Sequence, residues 1–149
     1  MSSNHIAISL KIEAPIQKVW DSLAQWEKQG EWMLQTKVIR TSEISEGVGV
    51  KIEAFTGPLY RLYPRFKFLG LVDLMEVTHW EPPHRCDVIH YGKILKGTGA
   101  FEVIALDQNH TSFHWSEEIR APWLLFTLGK PFLWLGVKIS LARFARLLE

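Results

Sequence analysis

The chain opens on an alternation. Ile6, Ile8, Leu10 and Ile12 alternate with His5, Ala7, Ser9 and Lys11, which predicts a half-buried strand. Ala14-Pro15 closes that strand, and Pro15 suits the start of a short helix. Val19, Trp20, Leu23 and Trp26 then recur at helical spacing through about Lys28. Gly30 ends this segment, and Trp32-Met33 follows it as an apolar plug. From Lys37 onward the pattern is strand after strand. Lys37 to Glu43 and Gly47 to Phe55 read as two strands, and Gly57-Pro58 breaks the second. The aromatic and basic stretch Leu59 to Phe68, interrupted by Pro64, reads as a loop or short edge element. Its Tyr60, Tyr63, Phe66 and Phe68 have the makings of a lid. Further strands are expected at Leu71 to Trp80, Arg85 to Tyr91, Ile94 to Leu106 and Thr111 to Arg120. Glu81-Pro82-Pro83-His84 and Asp107 to His110 make turns between them.

The last quarter changes period. Pro131 suits the first turn of a helix, and Leu133, Val137, Leu141, Phe144 and Leu148 fall on one stripe of a 3.6-residue wheel. Lys138, Arg143, Arg146 and Glu149 fall opposite, with the two arginines near the negative end of the helix dipole. About 18 residues of helix span roughly 27 Å, enough to cross a small domain. Phe132, Leu135 and Ile139 lie toward the charged edge, where a core helix ordinarily carries polar residues. They suit the body of the sheet, a partner subunit or a membrane surface. Lys130 and Pro131 interrupt the apolar run, and it is too short for a membrane span. Consecutive strands with short turns imply an antiparallel sheet, and the helices give an α+β fold in one domain, residues 1–149.

Composition narrows the function. A formal net charge of +1 with no Lys/Arg-rich run gives no field for nucleic acid. The single Cys86 excludes an internal disulfide framework, and it reads as a buried apolar residue. No signal peptide is visible at the start, so the cytoplasm is the expected location. Seven Trp and eight Phe are many for a core of this size, which points to an unusually aromatic core or an aromatic-lined cavity. Phosphate loops, nucleophile elbows and zinc-protease motifs do not occur, and no cofactor is expected.

The last strand carries the chemistry. Phe113, Trp115, Glu117 and Ile119 share one face, and Ser112, His114, Ser116, Glu118 and Arg120 share the other. Glu117 is thus a carboxylate on the apolar side, which calls for a raised pKa or a partner. Cys86, Val88 and His90 form the inward set of their strand, so His90 shares a face with Glu117. Asp73 and His79 share parity with Met75 and Val77, which puts them on the inward list as well. A His–Glu pair in an apolar pocket serves acid–base chemistry, orients a ligand's polar group, or is a structural ion pair. A metal site from Asp73, His79, His84 and His90 has no supporting ligand spacing, and none is expected.

Taken together, these segments resemble the START-like, or SRPBCC, superfamily, in its branch of polyketide cyclase/dehydrase and lipid-transport-like proteins. The resemblance covers nearly the full length. It rests on Ala14-Pro15 and Val19-Trp20, on Glu31-Trp32, on Gly47-Val-Gly49 and on Val77 through Cys86. His90-Tyr-Gly92, Gly97 through Phe101 and Phe113 through Glu117 complete it. The resemblance implies the helix-grip (Bet v 1/START-like) fold. In that fold a curved, seven-stranded antiparallel sheet wraps a long C-terminal helix over a hydrophobic cavity, and two short helices follow the first strand. His90 and Glu117 match recurrent polar positions of this branch. Three functions stand open on this basis. The first is binding of a small hydrophobic ligand by Trp20, Trp32, Trp80, Phe101, Trp115 and Trp123, with His90 and Glu117 on its polar end. The second is a cyclase/dehydratase-type enzyme using His90 and Glu117 as an acid–base pair. The third is a module that meets a membrane periphery or a partner, including a second copy.

Overall fold

The computed structural model describes residues 2–149, except for the side chains of residues 2–4 and 123–126. The strands are β1 (Ser2–Ile12), β2 (Thr36–Arg40), β3 (Lys51–Thr56), β4 (Leu71–Glu81), β5 (Arg85–Tyr91), β6 (Lys96–Ala105) and β7 (Thr111–Ala121). Helix α1 (Ile16–Leu23) and a 3-10 helix over Trp26–Glu31 follow β1, and α2 (Trp123–Leu148) closes the chain. The strands form one antiparallel sheet in the order β1-β7-β6-β5-β4-β3-β2. The sheet curls into a half-barrel around α2, which is the helix-grip arrangement.

Alternation fixes which side of the sheet is inside. Ile6, Ile12, Ile52, Ala54, Val88, Val103, Phe113, Trp115 and Ile119 are all buried, as the period-two pattern requires. Val19, Trp20 and Leu23 of α1, with Trp26 and Trp32, plug one side of the half-barrel. The last turns of α2 bury Leu141, Phe144, Ala145 and Leu148 against the same core. Polar ties fix that part of the helix. Ser140 Oγ donates to the Gly136 carbonyl at 2.7 Å and accepts from Leu34 N–H at 2.9 Å. Lys18 Nζ donates to the Leu148 carbonyl at 2.8 Å.

Several element boundaries differ from the sequence reading. Helix α2 starts at Trp123, so Pro131 lies inside it and Pro122 takes the boundary position. Pro131 is on the exposed side, where water reaches the backbone and the missing N–H costs least. Strand β2 ends at Arg40 because its guanidinium donates to the carbonyls of Ser42, Glu43 and Ile44 at 2.6 to 3.0 Å, turning the chain around it. Gly47–Gly49 belong to the following turn, and β3 begins only at Lys51. In the 57–70 segment, two 3-10 turns hold Tyr60–Leu62 and Lys67–Leu69. Tyr63 stacks on Phe55 at 4.9 Å. Phe55 faces away from the inward pair Ile52 and Ala54, so the segment is pinned to the outer face while Phe68 stays 79% exposed. The four aromatics therefore do not form a common lid.

Strand β6 crosses the middle of the sheet with two glycines on its inward side. Gly97 has φ +138°, and a Cβ there would collide with the Glu118 carbonyl of β7. A side chain thus conflicts with both the dihedral and a neighbouring backbone. Gly97→Ala is expected to lower unfolding free energy by at least about 2 kcal/mol, measured by urea denaturation. A cost below about 0.5 kcal/mol, the range of ordinary surface substitutions, would contradict this close approach.

Candidate functional site

Three inward side chains from three strands meet in the middle of the sheet. His90 of β5 is completely enclosed. Its Nδ1 lies 2.8 and 3.0 Å from the two carboxylate oxygens of Asp73 on β4. This contact fixes the ring and directs Nε2 toward β7, where Glu117 Oε1 is 3.7 Å away. That separation is an ion-pair contact, too long for a hydrogen bond. The line therefore runs Asp73–His90–Glu117, with the tight contact on the Asp73 side.

Gly99 makes the line possible. It sits between Val88 and Glu117 in the sheet register. A Cβ on it would come 3.2 Å from His90 Nε2 and 3.5 Å from Glu117 Cγ. The missing side chain is the space through which the imidazole reaches across β6. Glycine in a strand interior signalled such an approach, although not which groups would use it.

Electrostatics follow from burial. Burial works against the His90 imidazolium, but the hydrogen bond and charge of Asp73, with the charge of Glu117, outweigh it and raise the pKa above 6.5. Burial pushes the Glu117 carboxyl from 4.5 up to about 7, His90 opposes that rise, and the Asp73 charge adds to it. The Trp115 indole N–H also favours the Glu117 anion, yet no acceptor lies within hydrogen-bonding geometry of Trp115 Nε1. Among the described residues, His90 Nε2 and Trp115 Nε1 are buried polar atoms without a hydrogen-bond partner. A carboxyl that titrates at about 7 and an imidazole raised above its ordinary value therefore share this site with two unanswered nitrogens.

The aromatic candidates divide. Trp20 and Trp80 pack at 5.0 Å, and Trp26 joins Trp80 at 6.0 Å. Trp32 packs on Phe144 at 4.6 Å and edge-on to Trp115 at 6.5 Å, while Phe101 meets Trp115 at 4.8 Å. Trp20, Trp32 and Trp115 are buried core, whereas Trp80 and Phe101 are half-buried. Asp73, Met75, Phe101 and Glu117 all face inward and are also only half-buried, as are Leu133 and Val137 of α2. Packing thus leaves part of the surface of these inward side chains uncovered. The Trp123 side chain lies outside the described residues.

His79 does not join the site. The register shifts between Val77 and His79, so Trp80 instead of His79 follows Val77 on the inward side. His79 is exposed and meets Glu81 at 3.2 Å. His84 is exposed as well, and among the described residues no three His, Cys, Asp or Glu side chains are placed to hold a metal ion. Cys86 is buried with its thiol pushed up to about 12 by burial and by Asp87, which leaves it unreactive at neutral pH. The sequence pairs His90 with Glu117. The stronger partner is Asp73, whose inward parity was visible but whose contact depends on the lateral offset between β4 and β5.

No protein-family model matches the chain, and no curated protein sequence matches it. Known structures do. A START superfamily protein from Mycobacterium smegmatis superposes with a TM-score of 0.71 at 9% identity, over 96% of this chain and 98% of that one. A point mutant of norcoclaurine synthase from Thalictrum flavum, bound to a transition-state analogue, gives 0.68 at 12% identity over 99% and 94%. The Zhui aromatase/cyclase from Streptomyces sp. R1128 gives 0.64 at 15% identity over 81% and 70%. At these identities the likeness is one of fold, and the chain has a START/SRPBCC-type fold.

The raised pKa of Glu117 has a direct consequence for stability. Its folded value of about 7 lies above its ordinary 4.5, so its contribution is full below pH 4.5 and is lost as pH rises through 7. The raised pKa of His90 acts in the same direction at higher pH. Glu117→Gln is expected to remove on the order of 2 kcal/mol of the stability lost between pH 5 and pH 8. Chemical denaturation of both proteins at the two pH values checks this, and parallel pH profiles would show that Glu117 ionises normally.

Proposed function

We propose that the chain binds a small, largely apolar molecule between the sheet and α2, with the polar end of that molecule at His90, Glu117 and Trp115. The observation that carries this reading is the pair of buried, unpartnered nitrogens on His90 and Trp115. Leaving such groups unsatisfied costs about 1–3 kcal/mol each. An oxygen acceptor, such as a carbonyl or hydroxyl, is what both lack. Half-buried Met75, Phe101, Leu133 and Val137 suit the apolar remainder of the ligand. Affinity then comes mainly from apolar burial, at roughly 25 cal/mol per Å² before ordering costs. The fold supports this reading only as precedent, since it recurs in a START superfamily protein and in two enzymes.

A cyclase/dehydratase-type enzyme is the second reading, favoured by the Asp73–His90 contact. Asp73 stabilises an imidazolium whose Nε2–H can be given to a carbonyl oxygen, while the Glu117 carboxylate takes a proton from the adjacent carbon. The product of that step is the enol, with one proton gained by Glu117 and one lost by His90. The raised pKa of each group keeps His90 protonated to higher pH and makes Glu117 a stronger base than an exposed carboxylate.

Native mass spectrometry of the purified protein, followed by extraction, tests the binding reading. A stoichiometric apolar passenger is expected, and His90→Gln and Trp115→Phe should each weaken its retention by about tenfold. Equal retention by wild type and both variants would remove the site from ligand binding. Turnover of carbonyl substrates that is lost in His90→Gln and in Glu117→Gln would establish the enzyme reading. Turnover that survives both would eliminate it.

A further inference from the structure

Helix α2 carries two apolar stripes on opposite sides. The inner one, Leu133, Val137, Leu141, Phe144 and Leu148, packs against the sheet. The outer one runs Leu128, Phe132, Leu135 and Ile139, at spacings of 4, 3 and 4 that keep it on a single line. These residues are 66, 77, 49 and 39% exposed. The stripe is about 16 Å long, and core packing does not account for it. It ends at Ile139, and Arg143 and Arg146 continue its line further on.

The surroundings of the stripe are strongly basic. Strand registers put the end of β3, the start of β4, the end of β5, the start of β6 and the end of β7 at one end of the sheet. The 57–70 segment, the 92–95 turn and the start of α2 therefore emerge from the same end. Leu133 and Leu95 pack together with Ile119 and Ala121 there. Segments 54–72, 88–101 and 119–138 hold eight of the 17 Lys and Arg and none of the 16 Asp and Glu, with Asp73 and Glu118 at their borders. The net charge of +1 thus hides a polarised molecule. Arg61, Arg65, Lys67, Lys93, Lys96 and Arg120 are all exposed at this end, and Phe68, Leu69 and Ile94 are exposed among them. The rest of the chain holds the other nine Lys and Arg and all 16 Asp and Glu, with Glu13, Glu43, Glu46, Glu81, Asp107 and Glu149 beside Lys11, Arg40 and Arg85 at the opposite end.

We propose that this end docks on an anionic membrane surface, with the outer stripe of α2 lying in the interface. Exposed aromatic and aliphatic residues ringed by cations suit a bilayer that offers both acyl chains and negative headgroups. A second copy is disfavoured as the occupant, because it would bring two cationic ends together. The contact is peripheral: among the described residues no helix is long and apolar enough to cross a membrane. The inference does not depend on what the interior binds.

Cosedimentation with phosphatidylcholine vesicles, with and without phosphatidylglycerol, tests it on the full chain. Binding is expected only to the phosphatidylglycerol vesicles and should weaken as salt is added. Lys93→Glu and Lys96→Glu should each lower partitioning by about fivefold or more. Phe132→Glu combined with Leu135→Glu should abolish it, with circular dichroism confirming that the helix content is retained. Two outcomes overturn the proposal: no vesicle binding by the wild type, or undiminished binding by the folded double variant. A concentration-dependent dimer in sedimentation equilibrium, lost in that variant and unaccompanied by vesicle binding, would assign the stripe to self-association instead.

Discussion

An imidazole sealed between two carboxylates in an apolar interior is the constraint on which the middle of this sheet depends. Isolated buried charges cost several kcal/mol each, and they persist only where partners are held close. Three strands must therefore deliver Asp73, His90 and Glu117 to one place. β5 and β7 are two strand spacings apart, about 9.5 Å, and β6 lies between them. A side chain on β6 at this level would occupy the path of the His90 ring, and Gly99 leaves it clear. The cost of a bare glycine within a strand is thereby tied to the polar line it admits.

Much of this was visible in the amino-acid pattern. Alternation in β7 set Glu117 among Phe113, Trp115 and Ile119, and alternation in β5 set His90 inward with Cys86 and Val88. Each of those judgements needs only one strand. The parts that remained hidden need two. Whether His90 turns its Nδ1 to Asp73 or to Glu117 depends on the register of β4 against β5 and on ring orientation. The bulge after Val77 adds one residue to β4 and flips the phase of everything beyond it, so parity failed for His79 and selected Trp80 in its place. The aromatic residues were recognisable as inward, but which of them fill the core and which border open space is a matter of three-dimensional packing.

The long helix shows a different limit. Its inner stripe was clear from Leu133 onward because the sheet rewards it with burial. Pro131 looked like a start signal because a proline fits the first turn well. Pro122 fits the boundary equally well, and the segment between them continues as helix. Once the helix is extended back to Trp123, Leu128 aligns with Phe132, Leu135 and Ile139. Three residues that were merely out of place on a shorter wheel then become one face with a direction.

The interior and the outer face share a polarity. Phe113, Val103 and Ile12, sealed from solvent, lie toward the end of the half-barrel plugged by α1, Trp26 and Trp32. Asp73 is near the start of β4, His90 near the end of β5 and Glu117 toward the end of β7, so the polar line lies closer to the opposite end. Asp73 and Glu117 keep side-chain exposures of 21% and 12%, while His90 between them keeps none. That end is also where the basic loops and the exposed stripe of α2 emerge. An apolar molecule entering there would pass the ionisable groups before it reached the aromatic floor formed by Phe101 and Trp115. The position of the ionisable groups thus suits contact with the trailing, polar end of a ligand whose apolar part has gone in first.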